Sequence, residues 1–94
     1  MQTPVVVKDH NSKTAIITRM GRKYAYVVFM KSGKLTLGKL TPVQIQNKAF
    51  KTLAIDPTVA VDQFLAHSGG LTQSARLELE TVKEGLHETD SAGL

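Results

Sequence analysis

The sequence predicts an α+β domain: a small antiparallel four-stranded meander followed by two to three short helices. Up to residue 40, turn-forming residues recur at short intervals between runs of β-branched and aromatic residues. After residue 40 the apolar residues recur at helical spacing, and proline twice follows a helix-capping residue. The chain has 94 residues, which suits a single domain of this class.

The first part of the chain divides into four predicted strands. They lie near residues 3–8, 13–20, 23–31 and 34–40. Gly21-Arg22 predicts a type II′ turn, and Ser32-Gly33 predicts a two-residue hairpin loop, because glycine accepts a positive φ. A short, twisted meander can curl into a partial barrel, so by analogy the predicted sheet is SH3-like.

These two turns predict a register that sorts the side chains onto two faces. Ser32-Gly33 pairs Lys31 with Lys34, and Gly21-Arg22 pairs Ile17 with Tyr26. The face predicted to pack on the core holds Ala15, Ile17, Tyr26, Val28, Met30, Leu35 and Leu37. The opposite face holds the apolar residues Ile16, Val27, Phe29 and Leu40. The opposite face is too apolar to be wholly exposed, so we expect a helix to cover part of it.

The second part of the chain predicts helices. One begins at Thr41-Pro42 and runs to about Leu53, and a second begins at Asp56-Pro57 and stops before the glycines at 69 and 70. A third opens at Thr72 and ends near Gly85. Residues 1–86 therefore form the predicted domain, with the sheet in 3–40 and the helices in 42–86. Residues 87–94 are predicted to be a flexible tail.

Charge is divided very unevenly between the two parts of the chain. Through residue 51 there are ten basic residues and one acidic residue, a formal charge of +9. From residue 52 onward there are two basic and seven acidic residues, a formal charge of −5. A basic block of this density is typical of proteins that meet a polyanion or an acidic protein surface. The acidic part could instead cover the basic part within one molecule.

The sequence contains no pattern typical of catalysis or metal binding. His10, His67 and His87 are far apart and lack the spacing of metal ligands. Residues 9–12, Asp-His-Asn-Ser, are types found in catalytic triads, but four neighbours in one turn cannot easily form the relay. The glycines do not form a phosphate-binding loop. We therefore expect a protein that is not an enzyme and that holds no metal and no cofactor.

The basic residues of the predicted sheet and first helix form a candidate nucleic-acid-binding site. Lys31 and Lys34 lie opposite each other at a hairpin tip, where like charges repel and a bound anion relieves the repulsion. Cations beside tyrosines form the kind of surface on which unpaired bases stack. The candidate residues are Arg19, Arg22, Lys23, Tyr24, Lys31, Lys34, Lys39, Lys48 and Lys51. The predicted function is that of a small basic accessory or regulatory protein that binds DNA or RNA.

Two other interpretations stay open. Nine of the twelve basic residues are lysine, which is also common on exposed strand edges, where it prevents aggregation. The apolar content of both sheet faces favours a protein-interaction module or an assembly subunit. Such a module would bind an acidic protein surface, or a second copy to form a homo-oligomer, through a sheet face or edge.

Composition also predicts where the protein acts. The longest uninterrupted apolar run is 27–30, far short of the roughly 20 residues that span a membrane. The chain has no cysteine, which is compatible with a reducing compartment. We therefore expect a cytoplasmic protein without a membrane partner.

Overall fold

The computed structural model describes residues 3–92, and the side chains of residues 3–86. The strands within them are β1 (Val5–Lys8), β2 (Thr14–Met20), β3 (Ala25–Lys31), β4 (Lys34–Leu40) and β5 (Lys51–Thr52). The helices are α1 (Pro42–Lys48), α2 (Pro57–Leu65) and α3 (Gln73–Ala92). The strands form one antiparallel sheet in the order β4-β3-β2-β1-β5. The predicted α+β class is confirmed, with a short fifth strand added to the meander.

The β3–β4 hairpin has the predicted register. Lys31 lies opposite Lys34, and the pairing continues without a shift to Ala25 opposite Leu40. Ser32 and Gly33 have φ values of 52° and 82°. Positive φ at both central residues is the geometry of a type I′ turn, whose twist matches that of the flanking strands.

The β2–β3 register differs from the prediction. Met20 pairs with Ala25, so the loop has four residues, closed by a 2.7 Å hydrogen bond from the Gly21 amide to the Tyr24 carbonyl. The register also shifts between Ile17 and Arg19, which makes an irregularity of the bulge type. The predicted type II′ turn, and the pairing of residue 17 with residue 26, are therefore wrong.

This shift changes which side chains share a face. Ile17 pairs with Val27, and Ile16 pairs with Val28, one residue away from the predicted register. Because side chains alternate between faces, a slip of one residue moves every side chain of the strand to the other face. Face A of the sheet holds Val6, Ile16, Val28 and Leu35, and face B holds Val7, Ala15, Ile17, Ala25 and Val27. The prediction grouped β3 and β4 correctly but assigned the β2 side chains to the wrong faces.

Helices α2 and α3 cover face A, and the short helix α1 covers part of face B. On face A, Val61 of α2 and Leu79 of α3 are fully buried with the sheet residues. On face B, Ile45 of α1 and Phe50 pack against the buried cluster. Hydrogen bonding does not join β4 to β5 in the described residues, so the sheet is open and an SH3-like curl stays a prediction.

The first helix begins as predicted but ends early. Thr41 and Gln44 form a reciprocal capping box, with Pro42 in the first turn. The helix stops at Lys48 because Ala49 adopts a left-handed conformation with φ of 52°. The predicted extension to residue 53 is wrong, since the chain turns there and pairs with β1 along its open edge.

The second and third helices begin where the sequence predicts. The Asp56 side chain accepts a hydrogen bond from the Thr58 amide at 2.9 Å, which caps α2. The Thr72 hydroxyl accepts one from the Ala75 amide at 3.2 Å at the start of α3. Helix α3 continues past Gly85, where its end was predicted. The flexible tail stays a prediction, and residues 93 and 94 lie outside the described residues.

Candidate functional site

The nine predicted site residues occupy two ends of the sheet. Arg19, Arg22, Lys23, Tyr24 and Lys39 lie at the end with the β2–β3 loop, and Lys31, Lys34, Lys48 and Lys51 lie at the other. The seven residues of β3 separate the two ends by about 20 Å. The predicted site is therefore two separate surfaces.

Six lysines gather at one end, which we call the lysine end. They are Lys8, Lys13, Lys31, Lys34, Lys48 and Lys51. In an antiparallel meander the β1–β2 and β3–β4 turns lie at the same end, which brings the first four together. The His10 amide donates to the Lys48 carbonyl at 3.0 Å, which places the end of α1 there. Lys51 joins them because β5 pairs with the end of β1.

Four of these lysines form two like-charge pairs. Lys31 lies opposite Lys34, and Lys8 lies opposite Lys51. Like charges directly opposite each other on paired strands destabilise the sheet by roughly 0.2–1 kcal/mol per pair. None of the six lysines forms an ion pair with another described residue. Their charge is therefore available to an external anion.

The Asp9 carboxylate at the lysine end forms hydrogen bonds with backbone amides. Asp9 accepts hydrogen bonds from the Asn11 amide at 2.8 Å and the Lys13 amide at 3.0 Å. The Lys13 bond is the main reason that the pKa of Asp9 lies below its ordinary value, with the Asn11 bond and the charges of His10 and Lys48 as smaller causes. The His10 Nδ1 lies 3.1 Å from the Lys48 carbonyl oxygen. These contacts are those of a structural turn and form no catalytic relay.

A pocket of about 190 Å³ opens beside this loop on face B. Its apolar lining includes Phe29, Leu40 and Phe50, which are partly buried against the core. Its exposed polar lining includes Asn11 and Lys13, together with Lys48 from the end of α1. The pocket therefore joins an aromatic interior to the positive charge of the lysine end.

The opposite end holds the predicted cluster of cations and tyrosines. The Arg19 guanidinium lies 3.9 Å from the centre of the Tyr26 ring, and the Lys39 Nζ lies 5.7 Å from that of Tyr24. The Glu78 carboxylate of α3 accepts hydrogen bonds from the Thr18 hydroxyl at 2.7 Å and the Arg19 Nε at 3.1 Å. Arg19 therefore contacts α3 at the edge of its buried packing on face A, and its charge is partly neutralised.

Helix α3 carries its acidic residues away from the lysine end. The helix starts beside that end, where the Thr72 amide donates to the Leu35 carbonyl at 2.9 Å. Glu78 already contacts the opposite end, and Glu84 lies about 17 Å along the axis from Gln73. The uneven charge of the sequence thus becomes a separation in space, and the described acidic residues of α3 do not cover the lysine end.

Two residues of the lysine end, Lys8 and Lys13, were missing from the predicted site. A signal for both was present, because the predicted meander already places residues 9–13 at the same end as the 32–33 turn. The pairing of Lys8 with Lys51 has no such signal, because the sequence predicts that residue 51 lies in a helix.

No protein-family model, curated protein or solved structure matches the chain. In the described part of the chain, no helix is both long enough and apolar enough to span a membrane. The same residues contain no cluster of three or more His, Asp or Glu side chains that could hold a metal ion. The geometry of the two ends is therefore the basis for assigning a function.

Proposed function

We propose that the protein is a small nucleic-acid-binding accessory or regulatory protein whose lysine end contacts phosphates. The observation that carries the proposal is the convergence of six lysines from four segments with no ion pair among the described residues. Opposed lysine pairs are repulsive in the free protein, and a phosphate between them relieves that repulsion. A cytoplasmic location goes with this proposal.

Salt dependence is the signature of such contacts. Each lysine that neutralises a phosphate releases counterions. A plot of the logarithm of the affinity against the logarithm of the salt concentration therefore has a slope of about −0.9 per contact on duplex DNA. Binding to labelled single- and double-stranded oligonucleotides should be followed between about 50 and 200 mM salt. A steep negative slope is expected, and a flat slope would contradict the proposal.

A pair of charge-matched double variants locates the contact surface. Lys31→Glu/Lys34→Glu alters the lysine end, and Arg22→Glu/Lys23→Glu makes the same change in net charge at the opposite end. We expect the first double variant to make the slope less negative by roughly 2, and the second double variant to change the slope much less. All four positions are exposed, so the fold should survive both changes. Equal effects would mean that net charge, and not the lysine end, determines binding.

The outer edge of β4 is the surface that favours a protein partner. Helices α2 and α3 cover face A, so the face contact expected from the apolar pattern is not open there in the described residues. On the outer edge of β4, Leu35 exchanges hydrogen bonds with Gly70 and Thr72, while Leu37 and Lys39 bond to no further described strand. An extended acidic peptide, or a second copy of the protein, could pair there.

The open edge can be tested separately from the lysine end. Proline is tolerated where an edge amide points outward, so Lys39→Pro should leave the fold intact and prevent strand addition. Light scattering over a range of concentrations would detect self-association through this edge. A monomer at all concentrations, unchanged by Lys39→Pro, would contradict pairing between copies.

A further inference from the structure

We propose that the pocket beside the β1–β2 loop binds an unpaired pyrimidine base, which makes single-stranded nucleic acid the preferred ligand of the lysine end. This inference rests on the proposed function and adds the class of nucleic acid. The observation behind it is the joining of an aromatic pocket to a phosphate-binding surface through shared residues, Lys13 and Lys48.

The volume of the pocket limits what can enter it. A cavity of about 150 Å³ with apolar walls accepts a benzene molecule. The pocket here has about 190 Å³, which suits one six-membered ring with small substituents. A pyrimidine base fits this volume, and we expect the larger fused rings of a purine to fit less well. A base paired within a duplex cannot reach the pocket without leaving its stack.

The aromatic wall is fixed before any ligand binds. A Cβ atom at Gly38 would lie 2.6 Å from Cε1 of Phe29, so the ring lies directly against the β4 backbone. Phe29 and Phe50 both pack on the buried residues of face B. Because these rings are already held in place, little side-chain entropy is lost when a base stacks on them.

The exposed lining supplies polar groups for the rest of a nucleotide. The Asn11 backbone amide is used in the turn, but its side-chain amide forms no hydrogen bond with another described residue. A side-chain amide offers a donor and an acceptor side by side, which matches the polar edge of a pyrimidine. Lys13 and Lys48 lie where they can neutralise the phosphates on either side of the inserted base.

Fluorescence anisotropy with oligothymidylate, oligouridylate and oligoadenylate of about 12 nucleotides, and with a duplex of equal length, tests the inference. We expect both pyrimidine strands to bind more tightly than the adenine strand and the duplex, and their relative affinity separates a DNA ligand from an RNA ligand. Phe50→Leu should weaken pyrimidine-strand binding by at least about 5-fold and leave duplex binding unchanged. Phe64→Leu, which removes a partly buried ring on face A, is the matched control and should change neither.

The outcomes separate the two proposals. Absence of salt-dependent binding to every oligonucleotide overturns the proposed function. Equal binding of duplex and single strand, with Phe50→Leu identical to Phe64→Leu, overturns the pocket and leaves the lysine end in place. NMR of the wild-type protein supplies a measurement that needs no variant. Oligothymidylate should shift the ring resonances of Phe29 and Phe50 but not those of Phe64, and unshifted rings would contradict the inference.

Discussion

Lys8 lies directly opposite Lys51 across the β1–β5 pair, at the end of the sheet where Lys31 also lies opposite Lys34. Two repulsive pairs at one end of a small sheet reduce the stability of the free protein. Both pairs also present closely spaced positive charge to a polyanion. Stability and binding therefore make opposite demands on the same side chains.

Lys8→Gln should raise stability and weaken nucleic-acid binding together. Removing one charge of the pair should increase the free energy of unfolding by roughly 0.2–1 kcal/mol at low salt, and less at high salt because salt screens the repulsion. The slope of the logarithm of the affinity against that of the salt concentration should become less negative by about 1. Urea denaturation and anisotropy measure the two effects.

Lys83→Gln is the control for the Lys8 substitution. Lys83 lies 2.8 Å from an Asp62 carboxylate oxygen, so its loss removes an attraction between α2 and α3. Both side chains are partly exposed, and we expect unchanged or slightly lower stability with unchanged binding. Increased stability in both variants would show that general net charge, and not the Lys8–Lys51 pair, is responsible.

Glu78 is expected to be the acidic residue of α3 on which stability most depends. Its side chain is 11% exposed and accepts hydrogen bonds from Thr18 and Arg19. Glu78→Ala removes both bonds and should lower the free energy of unfolding by about 1–3 kcal/mol, as measured by urea denaturation. Glu80→Ala, at an exposed position two residues away, should change it by no more than about 0.5 kcal/mol. Equal losses would mean that the hydrogen bonds to Thr18 and Arg19 do not account for the effect, because alanine itself favours a helix more than glutamate does.

Gly38 and Gly85 should respond to alanine in opposite directions. Alanine at 38 places its Cβ against the Phe29 ring, and the resulting overpacking should cost about 1–3 kcal/mol. Apart from its own helix, a Cβ at 85 meets no atom of the described residues within 4 Å, so alanine there should stabilise α3 by about 0.5–1 kcal/mol. Thermal denaturation measures both, and a neutral Gly38→Ala would show that Phe29 moves aside easily.

Local signals explain what the sequence predicts correctly in the sheet. Ser32-Gly33 specifies its turn by itself, and the β3–β4 register follows from it. At the irregularity between β2 and β3, the Thr18 hydroxyl donates to the Glu78 carboxylate, 60 residues along the chain, and also lies 3.1 Å from the Tyr26 carbonyl oxygen. A contact at that separation leaves no signal in a short window of sequence, so the bulge and the faces of β2 could not be predicted.

The same distinction applies to the helices and to the candidate site. Thr41-Pro42 marks the start of α1 locally, but its end depends on Ala49, a residue that rarely adopts a left-handed conformation. The predicted helix extends over the residues that form β5, so the position of Lys51 opposite Lys8 could not be predicted. Lys31 and Lys34 were identifiable because their pairing is set by the turn between them.

The turn at the lysine end should make stability depend on acid through Asp9. Its pKa is below the ordinary value of 3.8 in the folded protein, chiefly because its carboxylate accepts a hydrogen bond from the Lys13 amide. A lowered pKa contributes stability that is present above the unfolded pKa and is lost as the pH falls through the folded pKa. We therefore expect the free energy of unfolding to decline as the pH drops below about 3.8. Asp9→Asn keeps an oxygen acceptor without a titratable charge, so urea denaturation at a series of acidic pH values should show a shallower decline in that variant. Identical declines in the two proteins would show that other carboxylates govern the acid response.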